Sequence, residues 1–383
     1  MLWALALSAS VAVAQEPQPR QWDREVAGTL LAYIERLDSH GLEPGDYAPA
    51  QLERAIASGD PQAIERQATE SFARVASDLA LGRLRPGQRG RFYIASDTLD
   101  PMGIARQIDT AIALRSVAHV LEGLAPRHRE YAALRRALAR LTPEQADERR
   151  KIEVSLERWR WMPRELGHRH LLVNIPEYRA RLFDGGAQTA SHRVIVGTPR
   201  TPTPQFSAEI NAVILNPSWY VPQSIVRESV GRLVRNSPSV ARARGYTWRT
   251  DGSGNLRVTQ GPGPQNALGQ MKLDMPNSFS VYLHDTPNKD LFEREVRTFS
   301  HGCIRTQAPL DLAATLLAGA GFDRQAIDEA VAARRTRRVP LDSPVPVYTV
   351  YLTAFAASDG TVQYLDDPYG LDAAIHARLN DGS

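Results

Sequence analysis

From Asp23 onward, apolar residues recur at three- and four-residue spacing. Val26, Leu30, Leu31, Ile34 and Leu37 fall on one face of a helix that Gly41 closes. A second helix is predicted after Asp60-Pro61, with Ile64, Ala68, Phe72, Val75, Ala76 and Leu79 on its apolar face. The same period predicts a third helix from Ile104 to Leu121 and a fourth from His128 to Leu141. A charged stretch with two tryptophans, Trp159 and Trp161, follows, and after it the period shortens. His170–Pro176, Arg179–Phe183, His192–Gly197, Ala212–Asn216, Ser280–His284 and Val347–Leu352 each read as short strands. Gly and Pro are dense between them, as in Thr201-Pro202-Thr203-Pro204 and Gly261-Pro262-Gly263-Pro264. Two helices are expected near 308–318 and 323–335. The predicted fold is α+β and multidomain: an all-α N-terminal domain, then a mainly-β sandwich or barrel-like domain with a few helices.

Composition changes this picture little. At 383 residues the chain has room for two domains, and its 43% hydrophobic and 23% charged residues are ordinary for a globular protein. Formal net charge is +3. Arg127-His128-Arg129 and Arg334-Arg335-Thr336-Arg337-Arg338 are short and read as solvated helix ends, so no nucleic-acid partner is expected. Met1–Ala14 is a short apolar run closed by Ala12-Val13-Ala14, with no Lys or Arg before it. We read it as a secretory signal cleaved after Ala14, too short to span a bilayer, which takes roughly 20 residues. No transmembrane segment is expected after cleavage.

The candidate chemistry centres on one residue. The chain has one cysteine, Cys303, so no intramolecular disulfide can form. In an oxidising compartment a lone thiol is a liability unless it has a task. It sits in Ser300-His301-Gly302-Cys303-Ile304-Arg305. A cysteine acyl-transferase needs a histidine within reach of the thiol and fixed donors for the oxyanion. Glycine just before the nucleophile permits the sharp turn that presents backbone N–H groups. Tyr282-Leu283-His284-Asp285-Thr286 ends a predicted strand on a histidine, a candidate base 19 positions before Cys303. The other histidines, His40, His119, His128, His168, His170, His192 and His376, show no metal-ligand spacing, so neither a metal nor another cofactor is expected.

The two motifs together resemble the L,D-transpeptidase family with its YkuD-type catalytic domain, and over most of its length the chain resembles the large Gram-negative YcbB-like members. Leu156–Pro163, Val194–Gly197 and Asn216-Pro217-Ser218-Trp219-Tyr220-Val221-Pro222 belong to the same match. The resemblance implies that Cys303 attacks the carbonyl between meso-diaminopimelate and terminal D-Ala of a peptidoglycan tetrapeptide stem, releasing D-Ala and leaving a thioester. It implies His284 as the base, His301 as a residue that shapes the loop, and the N–H groups of Gly302 and Cys303 as oxyanion donors. Arg305 is expected to bind a substrate carboxylate, and Tyr282 and Trp219 to line the cleft. The acceptor would be a second stem amine or a wall-anchored protein, and the location the periplasm. Water in place of the amine would give an L,D-carboxypeptidase. A non-catalytic wall scaffold is the remaining reading, and its signature would be loss of Cys303 or His284.

The domain organisation expected from these features is a signal at 1–14, a helical scaffold at 23–145, a connector at 146–165, the catalytic domain at 166–372 and a tail at 373–383. Two departures from the large relatives stand out. No peptidoglycan-binding module is inserted between Leu141 and Trp159, and the lid-like insertion, about 226–272, is short.

Overall fold

The computed structural model describes residues 21–380 except Ser96, Thr98 and Ser358. The expected signal at 1–14 lies outside the described residues. Cα proximity groups the chain into two compact units. One comprises residues up to Asp38, Glu43–Leu79 and Leu99–Ala125, and the other comprises Ser39–Leu42, Ala80–Thr98 and Pro126 onward.

The smaller unit is helical: α1 (Arg24–Ile34), α2 (Pro49–Ser58), α3 (Pro61–Leu81, to Leu79 in this unit), α4 (Pro101–Ala113) and α5 (Val117–Leu124). The Asp23 side chain caps α1 by accepting from the Val26 N–H at 2.8 Å, satisfying an otherwise orphaned donor. Val26, Leu30, Ile34, Phe72, Val75 and Leu79 are buried, as their spacing predicts. Helix α1 stops at Ile34, short of Gly41, because a separate 3-10 turn, Leu37–His40, intervenes. The helix expected over 104–121 is two helices. Arg115 adopts a left-handed φ of +46°, and the Arg115 and Ser116 N–H groups close on Ile112 and Ala111 carbonyls, a Schellman-type stop. Ion pairs from Arg115 to Asp23 and Glu25 hold that residue in place.

The larger unit opens with α6 (Arg129–Leu138) and α7 (Ala146–Arg160). The drawn boundary at 145 does not coincide with the structural division, since α6 packs on α7 inside this unit. Residues 146–165, expected as a charged connector, are mostly a buried helix. The buried charges Glu157, Arg158 and Arg160 are tolerated because each is paired. Glu157 accepts from Arg160 at 2.8 Å, from the Trp161 indole at 2.9 Å and from the Leu84 N–H at 2.9 Å. Arg158 pairs with Asp372 at 2.6 Å. Asp372 begins α10 (Asp372–Asn380), so the expected tail from 373 is helical through Asn380.

Eight strands form the core of this unit: β1 (Arg169–Asn174), β2 (Arg179–Asp184), β3 (Ala187–Gly197), β4 (Gln205–Leu215), β5 (Met271–Asp274), β6 (Leu283–His284), β7 (Ile304–Thr306) and β8 (Arg337–Val350). Their order is β4-β8-β1-β2-β3-β7-β6-β5, and β5 pairs back onto β4, so the sheet closes into a barrel. Closure removes both exposed edges. Inside lie Leu171, Val173, Val194, Val213, Leu273, Leu283, Ile304 and Val347, packed with Leu312 and Leu316 of α8 (Pro309–Leu317) and Ile327 of α9 (Arg324–Ala332).

Between β4 and β5 the chain leaves the barrel to build a lid. A three-stranded sheet (Trp219–Tyr220, Tyr246–Thr250, Leu256–Gln260) packs with short helical segments between Gln223 and Ala243. Trp219, Val226, Val230, Val234, Tyr246, Val258 and Leu268 form its own apolar cluster. The lid thus spans about 219–268, and residues from Met271, expected inside the insertion, belong to barrel strand β5. Both ends are pinned by asparagines. Asn216, at φ +47°, donates to the Ala330 and Val331 carbonyls at 2.9 and 3.1 Å, and Asn266 donates to Pro217 O at 3.0 Å. No helix among the described residues is long and apolar enough to cross a membrane.

Candidate active site

Strand alternation decides which side chains meet. Leu283 pairs with Ile304 and His284 with Arg305 across the parallel β6–β7 contact, while His284 faces Lys272 across antiparallel β5. Leu273, Leu283 and Ile304 point into the barrel core. Neighbouring side chains alternate to the opposite face. Lys272, Asp274, Tyr282, His284, Cys303 and Arg305 therefore share the outer face, where they line a cavity of about 890 Å³ roofed by lid residues including Trp219, Ile225 and Val230.

The turn that presents Cys303 depends on its glycine. Gly302 sits at φ +109°, a backbone conformation closed to side-chain-bearing residues. Ser300 Oγ accepts from the Gly302 N–H at 3.1 Å and donates to Cys303 O at 2.5 Å. From behind, Thr203 Oγ1 accepts from Gly197 N and donates to Gly302 O, both at 2.9 Å, and Thr201 donates to Ser300 O at 3.2 Å. Gly197 allows this close approach, since a Cβ there would lie 2.1 Å from Thr201 O. The Gly302 N–H, expected as an oxyanion donor, is thus occupied by Ser300 in this structure.

The half-buried Cys303 thiol donates to Ser280 O at 3.9 Å, and Tyr282, which packs against the lid's apolar cluster, lines the same cavity. Burial pushes the thiol pKa up, opposed by Tyr282 and by the charges of Lys272 and Arg305. His284 is buried, and its Nδ1 meets the Asp285 carbonyl. Burial and then the Arg305 charge drive it down to about 3, against the Asp285 and Leu268 backbone. The resting pair is therefore a neutral thiol and a neutral imidazole. His284 is turned to backbone here, and the thiol's hydrogen-bond partner is the Ser280 carbonyl.

His301 lies at the cavity mouth and bonds Glu228 of the lid at 3.0 Å. Lys272 and Arg305 form no salt bridge among the described residues, whereas Asp274 pairs with Arg338 at 2.8 Å. Beside Cys303 the cavity thus presents two cations outside any salt bridge among the described residues, a surface fitted to a carboxylate.

Five contributors were not singled out from the sequence: Lys272, Ser280, Asp285, Thr203 and Glu228. Asp285 is buried and accepts from Gln270 N at 2.8 Å, from Thr286 N at 2.6 Å and from the Lys289 ammonium, which fixes the carbonyl behind His284. The signal for Lys272 was present in the alternation Met271-Lys272-Leu273-Asp274. Glu228 is joined to His301 only by tertiary structure, across 73 positions.

The outer face of the closed barrel thus brings together a cysteine in a braced glycine turn, a buried histidine and two cations. Residues 168–340 match the L,D-transpeptidase catalytic domain family, YkuD, and residues 17–138 match a family described as a scaffold domain. The resemblance to L,D-transpeptidases read from the sequence is borne out over residues 168–340. A Haemophilus influenzae protein whose name proposes an L,D-transpeptidase is 32% identical over 257 residues, 62% of this chain and 52% of its own length. The chain thus spans about half the length of the curated relative it matches. Among solved structures, an L,D-transpeptidase from Mycobacterium smegmatis aligns at 15% identity over 48% of this chain and 58% of its own, with a TM-score of 0.26. L,D-transpeptidase 1 of Mycobacterium tuberculosis aligns at 15% identity over 48% and 61%, with a TM-score of 0.22.

Proposed function

We propose that this protein is a periplasmic peptidoglycan L,D-transpeptidase with Cys303 as its nucleophile. The observation that carries the proposal is the shared outer face of β5, β6 and β7, which gathers Cys303, His284, Tyr282 and two cations under one lid.

In this reading, a tetrapeptide stem enters with a free carboxylate against Arg305. His284, neutral at rest, rotates from its backbone contact and takes the thiol proton. The sulfur attacks the diaminopimelate–D-Ala carbonyl. The Cys303 N–H meets the oxyanion, joined by the Gly302 N–H once Ser300 releases it. His284 returns the proton to the departing D-Ala nitrogen, leaving a thioester. An acceptor amine, from a second stem or a wall-anchored protein, then attacks the thioester, loses its proton to His284 and regenerates the thiol. His301 shapes the mouth through Glu228, and Trp219 and Tyr282 line the cleft.

The test is mass spectrometry of protein incubated with a disaccharide-tetrapeptide. A dimer lacking one D-Ala, absent with Cys303→Ala, is the expected product. Tripeptide alone would move the assignment to a carboxypeptidase. A dimer still formed by Cys303→Ala would remove Cys303 from the mechanism.

A further inference from the structure

The cation nearest in register to the catalytic histidine has no role in the steps above. Lys272 stands opposite His284 in the β5–β6 pair. It is half-buried, and its ammonium lies 4.0 Å from the centre of the Tyr282 ring. Such a position over an aromatic face is attractive in itself. Lys272, the same ring and the Cys303 sulfur line one cavity. Tyr282 therefore carries a cation on its face in the cavity that holds the Cys303 thiol.

We propose that Lys272 is a positioning residue that acts through Tyr282, stabilising the Cys303 thiolate when it forms. When the S–H bond breaks and the proton passes to His284 or to solvent, negative charge remains on sulfur. The Tyr282 hydroxyl donates to that sulfur, and an ammonium over the ring makes the phenol a stronger donor while adding its own field. This inference rests on the function proposed above and supplies what that mechanism lacks, a means of holding the thiolate after His284 has taken the proton. The groups facing Cys303 divide the work. His284 comes from β6 and Tyr282 from the residue before it, Lys272 and Asp274 from β5, Arg305 from β7 and His301 from the turn. Asp274 is committed to Arg338 and His301 to Glu228. Arg305 projects from β7, which follows the Cys303 turn, and is left for the substrate carboxylate. Electrostatic coupling points the same way, since the Cys303 charge acts to raise the Lys272 pKa and Lys272 acts to lower that of the thiol.

A single cysteine makes the test unambiguous. The full chain, without peptide substrate, is alkylated with iodoacetamide from pH 5.5 to 10, and the rate is followed by intact mass. An opposite charge close to a titrating group moves its pKa by about 1–3 units, and solvent access brings the expectation to about one. Lys272→Met should move the alkylation midpoint up by about one pH unit, with about tenfold slower alkylation at pH 7. Lys272→Arg should return it close to the wild-type value. Tyr282→Phe should shift it the same way, and the double variant should shift it by less than the sum of the two singles. A Lys272→Met profile superimposing on wild type overturns the proposal. Should Lys272→Met fail to fold, an unmoved midpoint in Tyr282→Phe overturns it equally. Because no peptide is present, this readout is independent of the dimer assay. A shifted midpoint with no dimer would remove the transpeptidase reading alone, and an unshifted midpoint with dimer formed would remove the lysine's role alone.

Discussion

Glu130, at the start of α6, shares one guanidinium with a second carboxylate. Arg181 Nη2 lies 2.5 Å from Glu177 Oε1, and its Nη1 lies 3.4 Å from Glu130 Oε1. One further oxygen of each glutamate is buried without a hydrogen-bond partner. Burial pushes Glu130 up to about 7, against the attraction of Arg181 and with the repulsion of Glu177, and Glu177 is raised as well. The pair titrates as a unit. Between about pH 4.5 and 7 the folded state binds more protons here than the unfolded state does. Stability from this site is therefore fully present below 4.5 and is lost as pH rises through 7. The displacement from 4.5 to about 7 sets a ceiling of about 3 kcal/mol at about 1.4 kcal/mol per unit. Sharing between two carboxylates and local relaxation bring the expectation to roughly 2 kcal/mol.

Glu130→Gln keeps the shape and an acceptor for Arg181 but cannot ionise. Relative to wild type it should gain roughly 2 kcal/mol at pH 8 over its standing at pH 5. Urea unfolding followed by tryptophan fluorescence at both pH values reads this directly, because all other carboxylates are common to the two proteins. Parallel pH dependences for wild type and variant would refute the argument. A variant that lost stability at pH 8 would show that the second charge is compensated by something other than Arg181.

The remaining predictions concern the nucleophile turn. Gly302→Ala should lower turnover by more than tenfold while shifting stability by about 1–3 kcal/mol, the usual cost of side-chain strain at such φ. Its Cβ would meet nothing closer than 3.8 Å, so the loss comes from a displaced Cys303, and a wild-type rate in the dimer assay would sink this reasoning. Thr203→Val orphans the Gly197 N–H and Gly302 O together. It should cost about 2–5 kcal/mol in urea unfolding and slow Cys303 acylation, and a change below about 1 kcal/mol would show that water replaces the hydroxyl. A carbapenem should add covalently to Cys303 with a rate that rises with pH, because burial keeps the resting thiol protonated, and intact mass should show no adduct on Cys303→Ala.

Helices α1 and α3 and six of the eight barrel strands follow from periodicity, because apolar spacing records which face is buried, whereas α2 and the short strands β5 and β7 were not read from it. The lone cysteine in its glycine turn was equally legible, since no structural use competes for it. What failed did so for identifiable reasons. The stop at Arg115 carries no glycine, because ion pairs to Asp23 and Glu25 hold a left-handed arginine where glycine is usual. Helix α7 looked like a solvated connector because burial there is achieved by pairing charges rather than by avoiding them, and the partners Leu84 and Asp372 are far away in sequence. The same distance hid Thr203 from Gly302 and Glu228 from His301.

Register ties the barrel to its chemistry. Strands β6 and β7 are only two and three residues long, so little ladder hydrogen bonding fixes them. Leu283 and Ile304 do so, because each must enter the core. A slip of one residue in β6 would turn His284 into the barrel core and Leu283 to the outer face, reversing both faces together. The apolar pair thus determines that His284 and Tyr282 face outward beside Arg305 and Cys303. A substitution at Leu283 would then act as a site mutation as well as a core one. With β5 paired to both β4 and β6, the short strands cannot shift independently, and Lys272, Tyr282 and Cys303 keep one arrangement beneath the lid.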